Sequence, residues 1–411
     1  MGQEWEKGKD KKINKNKDER LKNKDKRQKG MNYTKKEIIE IISQRENSAV
    51  KFKDDAVRPE SLAKEIVSFA NTTGGTILIG VDDNGEISGT SKQEEWVMNI
   101  ARNNLNPAIS CEATDFLIKD RRILVVDIPK GKNKPYQTLD GKFYIRVGST
   151  NRQATQSELM RLFQQSGFLH FDLNPIEKAS FKSLNQSKLD RYFEQYGVEF
   201  AAEEKDDKLR ILRNTDILNE ENIPTVAGIL IFGINPQRFL PFARITFAHF
   251  VGSEITEELI DKQNIEGNLD EQIDKSLSVI KNNFLNSSKI EGAKRKSLNE
   301  SYPDKVFREL LVNAVVHRNY SITGSAIRIF MFDDRIEFIS PGKLPNTVTI
   351  EKIKAGVSYA VNPVIVKFME NLRYIDKLGR GIPMICKEAE KLSKNVTFKE
   401  IGEEFKIILE L

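Results

Sequence analysis

Apolar positions along this chain switch between a helical and a strand period, and the switches mark its elements. Over Lys35–Gln44, Ile38, Ile39, Ile41 and Ile42 supply the apolar face of a short helix. A second helix is predicted over Glu60–Asn71, with Leu62, Ile66 and Phe69 at helical spacing, stopping at Gly74-Gly75. Thr76–Val81 then reads as a buried strand that closes on Asp82-Asp83-Asn84-Gly85. An Asn-Gly pair between apolar runs is a strong hairpin signal. A helix over Glu94–Asn104 and strands over Ile123–Ile128 and Phe143–Val147 complete a mixed α/β domain of residues 33–155.

A helical connection, Gln156–Gln165, leads into a less distinctive middle. Ala227–Phe232 and Arg244–Phe250 are predicted strands, joined by a turn carrying Asn235-Pro236 and Pro241, and Asn268–Leu285 is a long helix. Pro303–His317 is a helix with a proline in its first turn, where the missing N–H costs nothing. Two strands follow, Ala326–Phe332 and Arg335–Ile339, split by Asp333-Asp334. Next come a Pro341-Gly342 turn, Gly379-Arg380-Gly381-Ile382 opening an apolar helix, and a last strand over Phe405–Leu409.

Charge is unevenly placed. Residues 1–30 hold twelve Lys/Arg and six Asp/Glu, more than the net +5 of all 411 residues, so the basic balance belongs to this tail. Its few large apolar residues (Trp5, Ile13, Leu21) cannot offset the entropy of ordering it, so disorder is expected over residues 1–32. No apolar run approaches the ~20 residues of a membrane span. Two distant cysteines, Cys111 and Cys386, exclude a disulfide framework or cysteine zinc site and fit a reducing, cytoplasmic setting. His170, His249 and His317 lack zinc-ligand spacing, and there is no phosphate-loop or nucleophile-elbow motif, so a P-loop helicase is excluded.

The chemistry concentrates on Pro303–His317. Val306, Leu310 and Ala314 form one apolar stripe and Phe307, Leu311 and Val315 the next, so the helix should be largely buried. Glu309, Asn313 and His317 interrupt it at i, i+4 and i+8, lining one face. A buried acid beside an amide needs a partner, because an unpaired buried charge costs several kcal/mol. A structural network would satisfy that need. A bound Mg²⁺ with a water would too, Asn313 offering oxygen to the metal and Glu309 orienting or deprotonating the water.

The run Phe307-Arg308-Glu309-Leu310-Leu311-Val312-Asn313-Ala314-Val315-Val316-His317-Arg318-Asn319-Tyr320 is followed by Asp334–Pro345 and by Gly379-Arg380-Gly381-Ile382. Together they resemble a GHKL-type ATPase-like domain, in the divergent branch found in proteins labelled RecG-like or as transcriptional regulators. The resemblance implies Mg²⁺-ATP as cofactor, Glu309 as catalytic base and Asn313 as the magnesium ligand. By the same match, His317 lies at the nucleotide, Gly342 near adenine, and Gly379 and Gly381 at the phosphates. The family's adenine loop reads Asp-x-Gly-x-Gly; here Ser340 stands at the Asp position and Leu344 at the second Gly.

Phe69–Gly85, with Phe52-Lys53 upstream and Tyr144–Arg152 downstream, resembles the AlbA-like domain of Schlafen-type proteins. That resemblance implies nucleic-acid binding, and Lys53 falls on its motif. Nine Lys/Arg between 119 and 152, against Asp120, Asp127 and Asp140, give independent support. Of these, Arg121, Arg122, Arg146 and Arg152 are the candidates for phosphate contacts that release counterions, and Tyr136 and Tyr144 are candidates for base stacking. Some relatives cut RNA with clustered carboxylates; here Glu46 and Asp82 match two such positions, and Lys51 occupies a third.

The expected architecture is α+β: an AlbA-like mixed α/β domain over 33–155, a linking α/β region over 156–265, and a GHKL-type α/β sandwich over 266–411. The expected function is an ATP- and nucleic-acid-binding regulatory protein, with DNA favoured over RNA and weak ATPase activity at most. ATP would close the segment Lys343–Tyr359 over its phosphates. Homo-oligomerisation is an expectation from the family alone. The alternatives are a Schlafen-type metal-dependent RNase acting on structured RNA, and a non-catalytic interaction scaffold.

Overall fold

A computed structural model describes residues 33–167, 169–290, 302–345, 348–375 and 379–411. The basic tail over residues 1–32 lies outside these. The chain divides into two compact units at Leu162/Phe163, and both mix helices and strands, as an α+β chain should. Among the described residues no helix is long and apolar enough to cross a membrane.

The first unit is built on a four-stranded mixed sheet. Its strands are β1 (Val50–Lys53), β2 (Gly75–Ile79), β4 (Glu112–Ile118) and β5 (Arg121–Ile128), ordered β1-β2-β5-β4. Two short ribbons lie outside it, β3 (Leu105–Asn106) with β6 (Gln137–Thr138), and β7 (Tyr144–Val147) with β8 (Thr150–Gln153). Strand alternation sorts the core between the sheet's faces. Leu78, Phe52 and Val125 pack with Ile38 and Ile42 of α1 (Lys35–Ser43). Ile77, Ile79 and Val126 pack with Leu62, Ile66 and Phe69 of α2 (Pro59–Asn71), and with Val97 and Ile100 of α3 (Glu94–Asn103). Of the four isoleucines expected on α1, Ile39 is solvent-exposed.

The turn at Asn84-Gly85 forms, with Gly85 N–H donating to the Asp82 carbonyl at 2.9 Å, but it closes a single bridge, Val81 to Ile87. The hairpin expected there does not extend, because β2 already pairs with β1 on one side and β5 on the other. A hairpin that the sequence reading missed joins β4 to β5 through Lys119 and Asp120, both at positive φ.

Helix α4 (Gln156–Gln165) carries the chain into the second unit. There a six-stranded sheet runs in the order β10-β9-β11-β12-β14-β13. Its strands are β9 (Ile245–Phe250), β10 (Leu259–Ile265), β11 (Ile327–Met331), β12 (Arg335–Pro341), β13 (Val396–Ile401) and β14 (Glu404–Glu410). The β9–β11 pair is parallel and the other pairs antiparallel. The first two strands come from the stretch read as a linking region, and one hydrophobic core runs from Ala179 to Leu409. That core gathers α5 (Gln186–Glu194), α7 (Val226–Phe232), α8 (Leu269–Ile290), α9 (Asp304–Val316), α11 (Pro363–Asn371) and α12 (Gly381–Lys391). Helix α6 (Lys205–Asn214) adds Leu212 to it, and α10 (Ile350–Lys354) packs Ile350 and Ile353 against it.

One element is corrected. Ala227–Phe232, expected as a strand, is helix α7, started by Thr225, whose hydroxyl accepts from Gly228 N–H at 3.0 Å. Every residue of α7 is buried. A helix apolar on all sides shows no 3.6-residue period, so the run cannot be told from a buried strand by pattern.

Candidate functional site

Helix α9 buries both predicted stripes, and Glu309, Asn313 and His317 are left half-buried on the remaining face. That face forms one wall of a cavity of about 370 Å³, within the range of small-ligand pockets. Ser340 and Gly342 line it from the end of β12, and Gly379 and Gly381 from the start of α12. The structure therefore brings Glu309, Asn313, His317, Gly342, Gly379 and Gly381 to one cavity. Val312, Val316, Phe338 and Ile407 give it an apolar floor.

Asn313 Nδ2 donates to Glu309 Oε1 and to the Glu309 backbone oxygen, both at 2.7 Å. With both amide protons drawn to Glu309, Oδ1 is left as the acceptor. Gly381 packs directly on the acid, since a Cβ there would lie 1.7 Å from Glu309 Oε1. The N–H groups of Gly381 and Ile382 precede the first intrahelical bond of α12, Met384 N–H to Arg380 O at 2.9 Å, and no side chain caps the helix. Enclosure holds the His317 imidazole down at about pKa 4, so it is neutral at physiological pH.

Segment 343–359 walls the cavity through Lys343–Pro345, Val348, Ile353 and Gly356–Tyr359. It is seated by two glycines at positive φ: a Cβ on Gly379 would lie 2.1 Å from Gly356 O, and one on Gly356 2.7 Å from Gly379 O. The segment expected to close over the phosphates thus lines the cavity, although Gly356, a legible stop signal just beyond a short helix, was not singled out within it. Ser340 donates its hydroxyl to Ala314 O at 2.8 Å and keeps only acceptor capacity.

Arg318-Asn319-Tyr320 is architecture rather than chemistry. The Arg318 guanidinium is buried, donates to the carbonyls of Ile322 (2.9 Å) and Ser325 (2.8 Å), and stacks over Tyr320. Tyr320 in turn donates to Val315 O at 2.9 Å. Gly342 packs against Asn319 and would bring a Cβ within 3.1 Å of that side chain.

In the first unit the basic candidates separate. Arg121, Arg152, Lys119, Lys132 and Lys142 are exposed. Arg122 is paired with Asp115 (2.8 Å) and Arg152 with Glu158 (2.8 Å). Lys53 is half-buried beside Glu65 at 3.2 Å. Arg146 is corrected: it is 8% exposed, pairs with Glu65 at 3.3 Å, donates to the carbonyls of Asn47 and Val50, and stacks on Phe69. A guanidinium enclosed in this way cannot meet a phosphate. Tyr136 is likewise a core residue, its hydroxyl accepting from Asn133 N–H.

The matched acidic positions are engaged locally. Glu46 meets Lys51 Nζ at 2.6 Å and Phe52 N–H at 2.7 Å, while Asp82 accepts from Asn84 and Glu86 N–H in its turn. Among the described residues no three His, Cys, Asp or Glu side chains gather to hold a metal.

Two family models match parts of the chain. Residues 46–155 match the family model described as "Schlafen, AlbA_2". Residues 324–409 match the one described as "Putative ATP-dependent DNA helicase recG C-terminal". Helix α9 precedes the second match. No curated protein matches the chain. Among solved structures, the DIP2311 protein from Corynebacterium diphtheriae aligns at 21% identity over 88% of this chain and 64% of its own, with a TM-score of 0.44. The chain thus spans less than two thirds of that protein's length. The N-terminal domain of a RecG-related protein from Nitrosomonas europaea, described as a putative ATP-dependent DNA helicase, aligns at 24% identity. That match covers 29% of this chain and 92% of the domain, with a TM-score of 0.23. The two matches stand in the order expected from the sequence.

Proposed function

We propose that the second unit binds Mg²⁺-ATP in the α9 cavity and that this binding regulates a nucleic-acid-binding first unit. The observation that carries the reading is the Glu309–Asn313 pair beneath Gly381. The residues fit the ligand: Asn313 retains Oδ1 as a neutral oxygen for a hard cation. The N–H groups of Gly381 and Ile382 suit phosphate oxygens at a helix start. Ser340 Oγ, its own proton committed to Ala314, can accept from an exocyclic amine. Mg²⁺-ATP supplies an anhydride whose cleavage a water can effect. Glu309 would hold that water and accept its proton, and the neutral His317 would keep the wall free of a second cation.

On the first unit, the exposed Lys119, Lys132, Arg121 and Lys142 are the proposed phosphate-contacting set, on DNA in preference to RNA, with Arg121 giving up the Ile87 and Ser88 carbonyls and Lys142 giving up Asp140 for a phosphate. Arg152 joins it by exchanging Glu158 for a phosphate.

Calorimetric titration of the full chain with Mg²⁺-ATP tests the nucleotide reading. Binding by the parent and its loss in Asn313→Ala is the expected result; equal affinity in both removes Asn313 from the site.

A further inference from the structure

We propose that Lys343 is the cation that receives the anionic part of the nucleotide, and that Glu403 competes with the nucleotide for it. The inference rests on the nucleotide reading of the cavity. Among the described residues of the cavity wall, Glu309 and Lys343 alone carry charge at neutral pH, His317 remaining neutral. Of the two, Lys343 is the one whose charge is opposite to that of a polyphosphate.

The surroundings of Lys343 suit a change of partner. Its Nζ lies 2.9 Å from Glu403 Oε1, with the two side chains 24% and 44% exposed. Ion pairs this wet contribute little to stability, so exchanging one carboxylate for a phosphate oxygen has a low cost. The backbone on either side is held: Gly342 N–H donates to Glu403 O and Leu344 N–H to Glu400 Oε1, both at 2.8 Å. Both acids come from β13 and the turn into β14, which fixes the main chain while leaving the four-carbon stem of the lysine to swing. A lysine is a compact point charge on a flexible stem, suited to such an exchange. A phosphate oxygen takes the place of Glu403 Oε1 on the ammonium, so one negative partner replaces another.

The test titrates Mg²⁺-ATP and adenosine separately into the full-length parent, Lys343→Met and Glu403→Gln. Lys343→Met should weaken Mg²⁺-ATP about tenfold, in line with loss of one charge-assisted contact, and leave adenosine unchanged. Glu403→Gln should tighten Mg²⁺-ATP roughly threefold, an outcome that misfolding cannot produce. Mg²⁺-ATP affinities identical in all three proteins, or an equal loss for adenosine in Lys343→Met, overturn the role of Lys343 while leaving the nucleotide site standing. A parent that binds neither ligand overturns the nucleotide reading and this inference with it.

Discussion

Gly381 and Glu309, seventy-two positions apart in the chain, meet so closely that a single methyl on the glycine would reach 1.7 Å from the glutamate's Oε1. The start of one helix is thereby set against the one acid on the cavity face of another. This contact, rather than either motif alone, orients the carboxylate toward Asn313.

Gly381→Ala forces the Glu309 carboxylate aside and breaks its bond with Asn313. Because the clash is with the far end of a side chain, the fold should survive nearly unchanged. The expected outcome is a normal melting temperature with the stabilisation by Mg²⁺-ATP abolished. For a parent at a hundredfold excess over Kd that stabilisation is about 2.7 kcal/mol. A variant that still shifts by that amount would show the contact to be dispensable.

Gly379→Ala should behave differently. The added methyl meets a backbone oxygen, Gly356 O at 2.1 Å, and the residue sits at φ +66. Neither conflict can be relieved by a rotamer change, so about 1–3 kcal/mol of stability should be lost even without ligand. Urea denaturation of the apo protein measures it, and an unchanged midpoint would mean that the 356–359 segment is not seated on Gly379.

Arg146→Met and Arg121→Glu separate architecture from recognition. Removing Arg146 strips a partner from the buried Glu65, although Lys53 remains at 3.2 Å, so a cost of about 3 kcal/mol is expected in chemical denaturation. Arg121→Glu gives up only exposed bonds to the Ile87 and Ser88 carbonyls, so it should cost far less stability than Arg146→Met while weakening nucleic-acid binding and flattening its salt dependence. Salt slopes affected by Arg146 and untouched by Arg121 would reverse the assignment.

His317 gives a pH dependence with a definite sign. Its folded pKa of about 4 lies below the ordinary 6.5, so the unfolded chain binds the extra proton. Its contribution to stability is constant above pH 6.5 and is progressively lost as pH falls from 6.5 toward 4. Thermal melts of the parent and His317→Gln should therefore converge as the pH is lowered through that window. Parallel curves would place His317 in a solvated position.

Much of the chain declared itself in its pattern. The stripes Val306/Leu310/Ala314 and Phe307/Leu311/Val315, broken only by Glu309, Asn313 and His317, are enough to predict a buried helix with one chemical face. Gly379 and Gly381 announce a turn into a helix because few other residues allow such close backbone approach. These signals are local, carried within a few turns of chain. The pattern failed where burial is complete, at α7, and where an edge strand is mostly polar, at β10, since neither shows the alternation that periodicity requires.

Tertiary structure alone decided which charged residues are available. Arg146 and Arg121 look equivalent in a basic stretch, yet strand β7 turns one onto Glu65 and Phe69, while the other begins β5 on the surface with its guanidinium donating to the carbonyls of Ile87 and Ser88. Asp172 caps α11 from across the second unit, its Oδ2 accepting from Val364 N–H at 2.8 Å, a role no local pattern encodes. The same holds for Lys343 and Glu403, paired only because β12 and β14 lie side by side. Local sequence fixes period and backbone conformation. Burial, pairing and pKa depend on which distant segments pack together, and that is a property of the folded chain as a whole.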